Sequence, residues 1–242
     1  MVVVAQISDL HLDGSERASA RARRVLDYLN SLARPVDALL VTGDIADHGT
    51  ESEYEEIAQL LASVSVPVLT CPGNHDVRGS YRKALLGDEP SGGPINRQHH
   101  VAGLNILMVD GTVPEHGHGY LDDETVGWIL DHLRDPIPTL IALHHPPAPM
   151  HEPLVDTILL HEPDRLAALV EAHPQVIAVL AGHAHTACAT TFSGRPLIVA
   201  PAVTFALRMP WEAGSHHNWD QPPGVAFHVV EDSRITTHFR SA

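Results

Sequence analysis

The sequence predicts a layered α/β fold that ends in consecutive strands. Three observations carry this reading. Six short apolar runs recur, at Val2–Ile7, Ala38–Thr42, 66–70, Leu104–Val109, 140–143 and Val176–Ala181. They are rich in Val, Ile and Leu and lack clean polar alternation, which suits strands buried on both faces. Helix-like segments lie between several of them, the arrangement expected of an α/β layered fold. After residue 195 the pattern changes to three strand-like segments, 196–200, 225–230 and 235–239, with no helix between them. A second, partly antiparallel sheet is expected there.

The helices follow from local signals. Segment 19–33 places Val25, Leu26, Leu29 and Leu32 at helical spacing. Segment 51–62 follows Thr50, an N-cap residue, and starts with acidic residues. Segments 122–133 and 163–172 complete the set, with Asp164 and Arg165 in a first turn. Residues 87–100 and 207–224 read as loops. There is no repeat or linker, so the 242 residues are expected to form one domain, residues 1–242.

Composition narrows the function. The chain is 44% hydrophobic and 19% charged, as in a water-soluble globular protein. It has no apolar stretch long enough for a membrane span. The N-terminal MVVVAQISDL lacks a basic n-region and a cleavage site, so a cytoplasmic location is expected. The formal charge of −15 argues against a nucleic-acid binder, which needs a basic surface. It does not exclude a phosphate substrate, because metal ions reverse a local field. Cys71 and Cys188 form no C-x-x-C pair and read as free, packed thiols.

The 19 histidines are informative through their positions. Asp9-Leu10-His11 follows the first run, and Gly43-Asp44-Ile45-Ala46-Asp47 follows the second. Gly73-Asn74-His75-Asp76 follows the third, His144-His145-Pro146-Pro147 the fifth, and Gly182-His183-Ala184-His185 the sixth. Sites in open α/β sheets form beyond the carboxyl ends of strands. Alone, D-x-H could be a helix cap and G-D-x-x-D an ordinary turn. H-H-P-P could be a rigid solvated loop. Clustered histidines after buried strands serve no packing purpose, and the joint series points to a metal site. Carboxylate, imidazole and amide oxygen suit Mn, Fe or Zn, and no cysteine sits in any block.

The series D-x-H, G-D-x-x-D, G-N-H-D, H-x-P and G-H-x-H resembles the calcineurin-like metallophosphoesterase superfamily. The likeness spans residues 9–185. It implies a four-layer αββα sandwich of two mixed β-sheets flanked by helices. It also implies two divalent or mixed-valence metal ions. Asp9, His11 and His185 would hold the first, and Asn74, His144 and His183 the second. Asp44 would bridge them, and His75 would face the substrate.

Such a centre implies hydrolysis of a phosphoester by a metal-bridging hydroxide. Two metals, two carboxylates and a hydroxide leave the site about one positive charge, enough to favour an anionic substrate. Asp44 and Asn74 would act with the metals on the phosphoryl group, and His75 would protonate the leaving oxygen or stabilise its charge. Within the superfamily, the GNHDVR and LHHPP blocks look most like class III cyclic nucleotide phosphodiesterases and glycerophosphodiesterase relatives. The expected substrate is a cyclic nucleotide or another small phosphodiester. A phosphomonoesterase on the same centre is the alternative, and a non-catalytic scaffold stands further off, since every ligand position is filled.

Several residues have open roles. His145 could pack or touch substrate. Asp47 reads as a loop stabiliser, and Asp76 as a support for His75 or its loop. Arg78 could bind phosphate, although a surface ion pair suits it better. His116 and His118 could line the substrate side. The stretch 209–219 could overhang the site, pack as a surface loop, or contact another subunit, so a homodimer is a further expectation. Gly73 is expected to let the backbone turn sharply.

Overall fold

Strand β1 (Val2–Ile7) opens the chain, and its residues sort by side-chain alternation. Val2 and Val4 point to one apolar layer, Ala5 and Ile7 to another. The computed structural model describes residues 1–242. Helix α1 (Glu16–Asn30) and strand β2 (Ala38–Thr42) follow, then α2 (Glu51–Leu61), β3 (Val68–Cys71) and α3 (Arg78–Tyr81). A π-helical turn, Arg82–Leu86, continues α3. Next come β4 (Arg97–Val101), β5 (Leu104–Val109), α4 (Asp123–His132) and β6 (Thr139–Leu143). Helix α5 (Asp164–Ala172), β7 (Val176–Ala181), β8 (Cys188–Phe192) and β9 (Arg195–Val199) lead to the end of the chain. There lie the short pair β10 (Ala206–Leu207) and β11 (His217–Asn218), then β12 (Gly224–Glu231) and β13 (Arg234–Ser241).

Two large mixed sheets result. The first has the order β13-β12-β1-β2-β3 and the second β4-β5-β6-β7-β9-β8. Strands β1, β2 and β3 run parallel, as do β5, β6, β7 and β9. Three apolar clusters fill the spaces between layers. One packs α1 and α2 on the first sheet, one lies between the sheets, and one packs α4 and α5 on the second. This is the four-layer αββα sandwich the motifs implied.

The helix ends have local causes. Ser15 caps α1 by accepting the Ala18 amide, so the helix begins at Glu16 rather than residue 19. Thr50 and Glu53 form a reciprocal capping box on α2. The expectation that the last three strand segments form a second, partly antiparallel sheet is corrected in its grouping. β9 joins the second sheet beside β7, while β12 and β13 extend the first sheet antiparallel to β1. The loop expectations also need amendment. Residues 97–101, RQHHV, form edge strand β4 against β5. Their polarity hides them, because an edge strand can leave much of its length in water. Within 207–224, β10 and β11 pair as a short ribbon.

One polar link joins the sheets beneath the site. Gln6 Nε2 donates to Thr42 Oγ1 and to the Ala181 carbonyl, each at 2.9 Å. The sheets therefore meet at a fixed spacing where their parallel strands end. No helix is long and apolar enough to cross a membrane.

Candidate metal centre

The ends of β1, β2 and β3 in one sheet and of β6 and β7 in the other converge on a single cluster. Asp9, Asp44 and His144 are essentially buried, and His11, His183 and His185 nearly so. Backbone bonds lash the loops together: the Asp9 amide donates to the Gly43 carbonyl and the His11 amide to the Asp44 carbonyl. The His183 amide donates to the Asp9 carboxylate at 3.1 Å. Five of these residues sit at positive φ: Asp9 at 55°, His11 at 45°, Asp44 at 48°, His183 at 68° and His185 at 51°. Left-handed backbone is costly for residues other than glycine and gathers where a site demands it.

Gly73 has a different role from the one expected. It is absent from the positive-φ glycines, so it supplies no special turn. A Cβ there would lie 2.2 Å from Asp44 Oδ1, so glycine is needed for close approach of two loops. Gly182 is alike: its Cβ would fall 1.9 Å from Ser8 Oγ.

The imidazoles are oriented by their outer nitrogens. His11 donates through Nδ1 to Asp47 Oδ1 at 2.8 Å, His144 to the Thr42 carbonyl at 2.8 Å, and His185 to the Phe205 carbonyl at 3.0 Å. In a neutral ring, an acceptor on Nδ1 fixes the tautomer and leaves the Nε2 lone pair for a cation. These lone pairs point inward. His11 Nε2 lies 3.4 Å from Asp44 Oδ2, His144 Nε2 lies 3.2 Å from the same oxygen, and His185 Nε2 lies 3.5 Å from Asp9 Oδ1. Asn74 Oδ1 is buried with no hydrogen-bond partner. His183 Nδ1 lies 3.1 Å from His144 Nε2. Carboxylate oxygens and ring nitrogens thus crowd together, an arrangement that draws in positive charge, whether protons or a metal cation. His and Asp groups here suit divalent metal ions.

The electrostatics agree. Burial acts against a charge on His144, but the adjacent Asp44 carboxylate overrides it and raises the imidazole to about 9. Burial pushes Asp44 the other way, and His144 still holds it well below the usual carboxylate range. The cluster takes up positive charge where it can. Burial lowers His185 to about 4, against the pull of Asp9.

Ligand atoms fall into overlapping groups. Asp9, His11 and His185 form one, Asp9, Asp44 and His144 another, and His11, Asp44 and His75 a third. His144 and His183 form a fourth together with His145. Asp44 therefore lies between the two expected ligand sets.

Comparison with known proteins then places the chain. The Calcineurin-like phosphoesterase family profile matches residues 2–187.

The chain belongs to the calcineurin-like phosphoesterase family.

A relative from Mycobacterium tuberculosis, named a cAMP/cGMP dual specificity phosphodiesterase, is 34% identical over 247 residues, covering 96% of this chain and 77% of that protein. A glycerophosphodiester phosphodiesterase of Enterobacter lignolyticus is 30% identical, covering 94% of this chain and 86% of that protein. Among solved structures, a dimetal phosphatase from Danio rerio superposes with a TM-score of 0.72 at 15% identity, covering 99% of this chain and 96% of that one. GAP50, described as the anchor in the inner membrane complex of Plasmodium, superposes at 0.64 and 12% identity, covering 99% and 84%. Those two likenesses concern the fold, which does not fix function by itself.

In this calcineurin-like phosphoesterase, the residues with open roles find partners. Asp76 accepts from the amides of Ile45, Ala46 and Gly73 and from Tyr54 Oη. It ties the Asp44 loop to the Asn74 loop rather than orienting His75. Burial, with Asp44 nearby, raises its carboxyl to about 6. Asp47 orients His11, beyond its expected loop role. His145 is fully buried and donates through Nε2 to the Gly117 carbonyl, while its Nδ1 is buried without a partner and the ring groups with His144 and His183. Arg78 grips Asp110 with two nitrogens, at 2.8 and 3.2 Å. The pair is not a surface one, since Asp110 is buried.

His116 is bonded to the Pro114 carbonyl, and His118 stacks on His161 at 3.9 Å; neither ring joins the four ligand groups. Cys71 is buried and Cys188 half-buried, both free. From the stretch 209–219, Trp219 and His217 pack on Phe205, which itself stacks on His185. Phe205, Tyr54 and the Thr42 carbonyl escape sequence reading, because none of them carries a motif.

Proposed function

We propose that this chain is a metal-dependent phosphodiesterase acting on cyclic nucleotides or another small phosphodiester. The observation that carries the reading is the gathering of imidazole nitrogens and two carboxylates in overlapping buried groups, with a buried, unpartnered Asn74 oxygen on the loop that packs against Asp44. Asp9, His11 and His185 would hold one metal, Asn74, His144 and His183 the other, with Asp44 shared. Mn, Fe or Zn fit this donor set, as a divalent or mixed-valence pair. Such a pair supplies Lewis acidity and lowers the pKa of water toward neutrality.

The chain's own groups do the rest. Asp47, Thr42 and Phe205 hold three imidazoles in the ligand tautomer. Asn74 offers a neutral oxygen and leaves the positive charge of the site undiminished. His75 stands at the mouth, its side chain 41% exposed, with its amide donating to Asp44 Oδ1. Its Nδ1 donates to the Asp47 carbonyl at 2.8 Å. In the protonated ring, Nε2–H is then free to give a proton to the departing oxygen. The relatives' names support a diester, and the glycerophosphodiesterase likeness supports glycerophosphodiesters as the second reading.

Metal analysis and a phosphoester panel test this. We expect two metals per chain and turnover of 3′,5′- or 2′,3′-cyclic nucleotides or bis-p-nitrophenyl phosphate above p-nitrophenyl phosphate. Asp44→Asn should lower both metal content and hydrolysis. Turnover of monoesters alone would overturn the substrate class, and an Asp44→Asn protein with unchanged metal and activity would overturn the centre.

A further inference from the structure

The rings around the first ligand set continue beyond the ligands. His75 meets His11 edge-on at 4.6 Å, His11 leans on His185 at 5.1 Å, and Phe205 stacks on His185 at 4.3 Å. Past Phe205, His217 stands edge-on at 4.7 Å and Trp219 leans on it at 4.5 Å. The result is a continuous strip of rings from the mouth of the site outward.

The outer end of this strip serves no core. Trp219 is 43% exposed, and His217 is exposed. Yet both are held in place. The Arg17 guanidinium lies 4.6 Å over the indole and donates to the Trp219 carbonyl at 2.8 Å. The β10–β11 ribbon sets His217 opposite Leu207. Phe205 packs its inner side on the core cluster of the second sheet. Exposed aromatic surface fixed by three independent contacts is unusual for a solvated loop.

We propose that Phe205, His217 and Trp219 form the subsite for a planar heteroaromatic group, so that the preferred diester is a nucleotide and not a glycerol derivative. The inference rests on the phosphodiesterase reading above. A cyclic nucleotide carries its phosphoryl group and its base on one furanose, so the base must lie within a sugar's reach of the metals. The strip meets that demand, because it starts at His185. Every base presents a π face, so stacking holds it without hydrogen-bond readout. Arg17 adds local positive charge beside an anionic ligand in a protein of formal charge −15. A glycerol head group has no ring to place there.

The test uses the metal-loaded, full-length protein and Trp219→Leu, with Phe205→Leu as a second variant. The ratio of kcat/KM for cyclic AMP to that for glycerophosphoethanolamine should fall about tenfold, mainly through KM, as expected for one lost stacking contact. Independently, AMP should quench tryptophan fluorescence saturably and ribose 5-phosphate should not, and Trp219→Leu should abolish the quenching. An unchanged ratio would overturn the proposal. So would an unchanged ratio with a lower mass in sedimentation, which would assign the ring to a contact with a second copy. If the wild type turned over no diester, the phosphodiesterase reading would fail while the fluorescence comparison still decided the subsite. AMP-specific quenching would support it, and equal responses to the two ligands would sink it.

Discussion

His11 Nε2 and His185 Nε2 face each other at 3.2 Å, and each ring already donates its Nδ1 proton elsewhere. If both rings are neutral, two lone pairs oppose each other there; burial acts against a charge on His11, but Asp47, Asp44 and Asp9 override it and favour a cation at this spot. The rings are fixed by Asp47 and by the Phe205 carbonyl, so neither can turn away without losing a bond. His11 and His185 would hold a metal ion through these nitrogens, and its charge would remove the conflict.

Chelation should therefore destabilise the protein. At metal about 100-fold above its Kd, binding contributes about 2.7 kcal/mol, worth roughly 5–10 °C in Tm for a chain of this length. Thermal unfolding with and without EDTA measures it. Equal melting temperatures would contradict the account of the bare lone pairs.

Asp47 touches His11 Nδ1 and no metal position of its own. Asp47→Ala should cost about 10- to 100-fold in metal affinity or activity, the usual scale for a group that orients a ligand. Asp47→Asn keeps an acceptor oxygen and should recover part of the loss. Metal titration of the three proteins checks the order.

His75→Ala should slow hydrolysis by roughly 10²–10⁴-fold when the leaving group is a poor one, the scale of general acid catalysis. With bis-p-nitrophenyl phosphate, whose leaving phenolate needs no proton, the loss should be much smaller. Equal losses on both substrates would remove His75 from proton transfer.

His228 gives a stability prediction away from the metals. It is fully buried between Gln6 Oε1 and Thr237 Oγ1, and burial lowers its pKa from 6.5 to about 3. Above pH 6.5 it is neutral in both folded and unfolded chains and contributes no pH dependence. Between 6.5 and 3 the unfolded chain binds a proton that the folded chain refuses, so stability falls as pH falls. The slope is at most about 1.4 kcal/mol per pH unit. His228→Gln should lack that component, which denaturant unfolding of both proteins between pH 7 and 5 would reveal as a diverging difference.

Much of the site is legible in the chain because its ligands are local. Asp9 and His11, Asp44, Asn74 and His75, His144, and His183 and His185 each follow a buried run within a few residues. Strand periodicity and a handful of side-chain types are enough to find them. The αββα sandwich follows from the same pattern, read through the family likeness. The strand β4 was hidden because its polar residues lie at a sheet edge.

What the sequence by itself determined is therefore the set of groups at the strand ends and the chemistry they favour. Tertiary structure alone decided what holds them. The Thr42 carbonyl that orients His144 lies 102 residues away, Asp76 meets the Tyr54 hydroxyl 22 residues back, and Arg17 meets the Trp219 carbonyl across 202. A carbonyl has no residue identity, and an aromatic or a carboxylate gains a partner only when distant loops are brought together. Gly73 shows the same division. Its place in the motif was evident, but only the packed loops reveal that the space beside it belongs to Asp44.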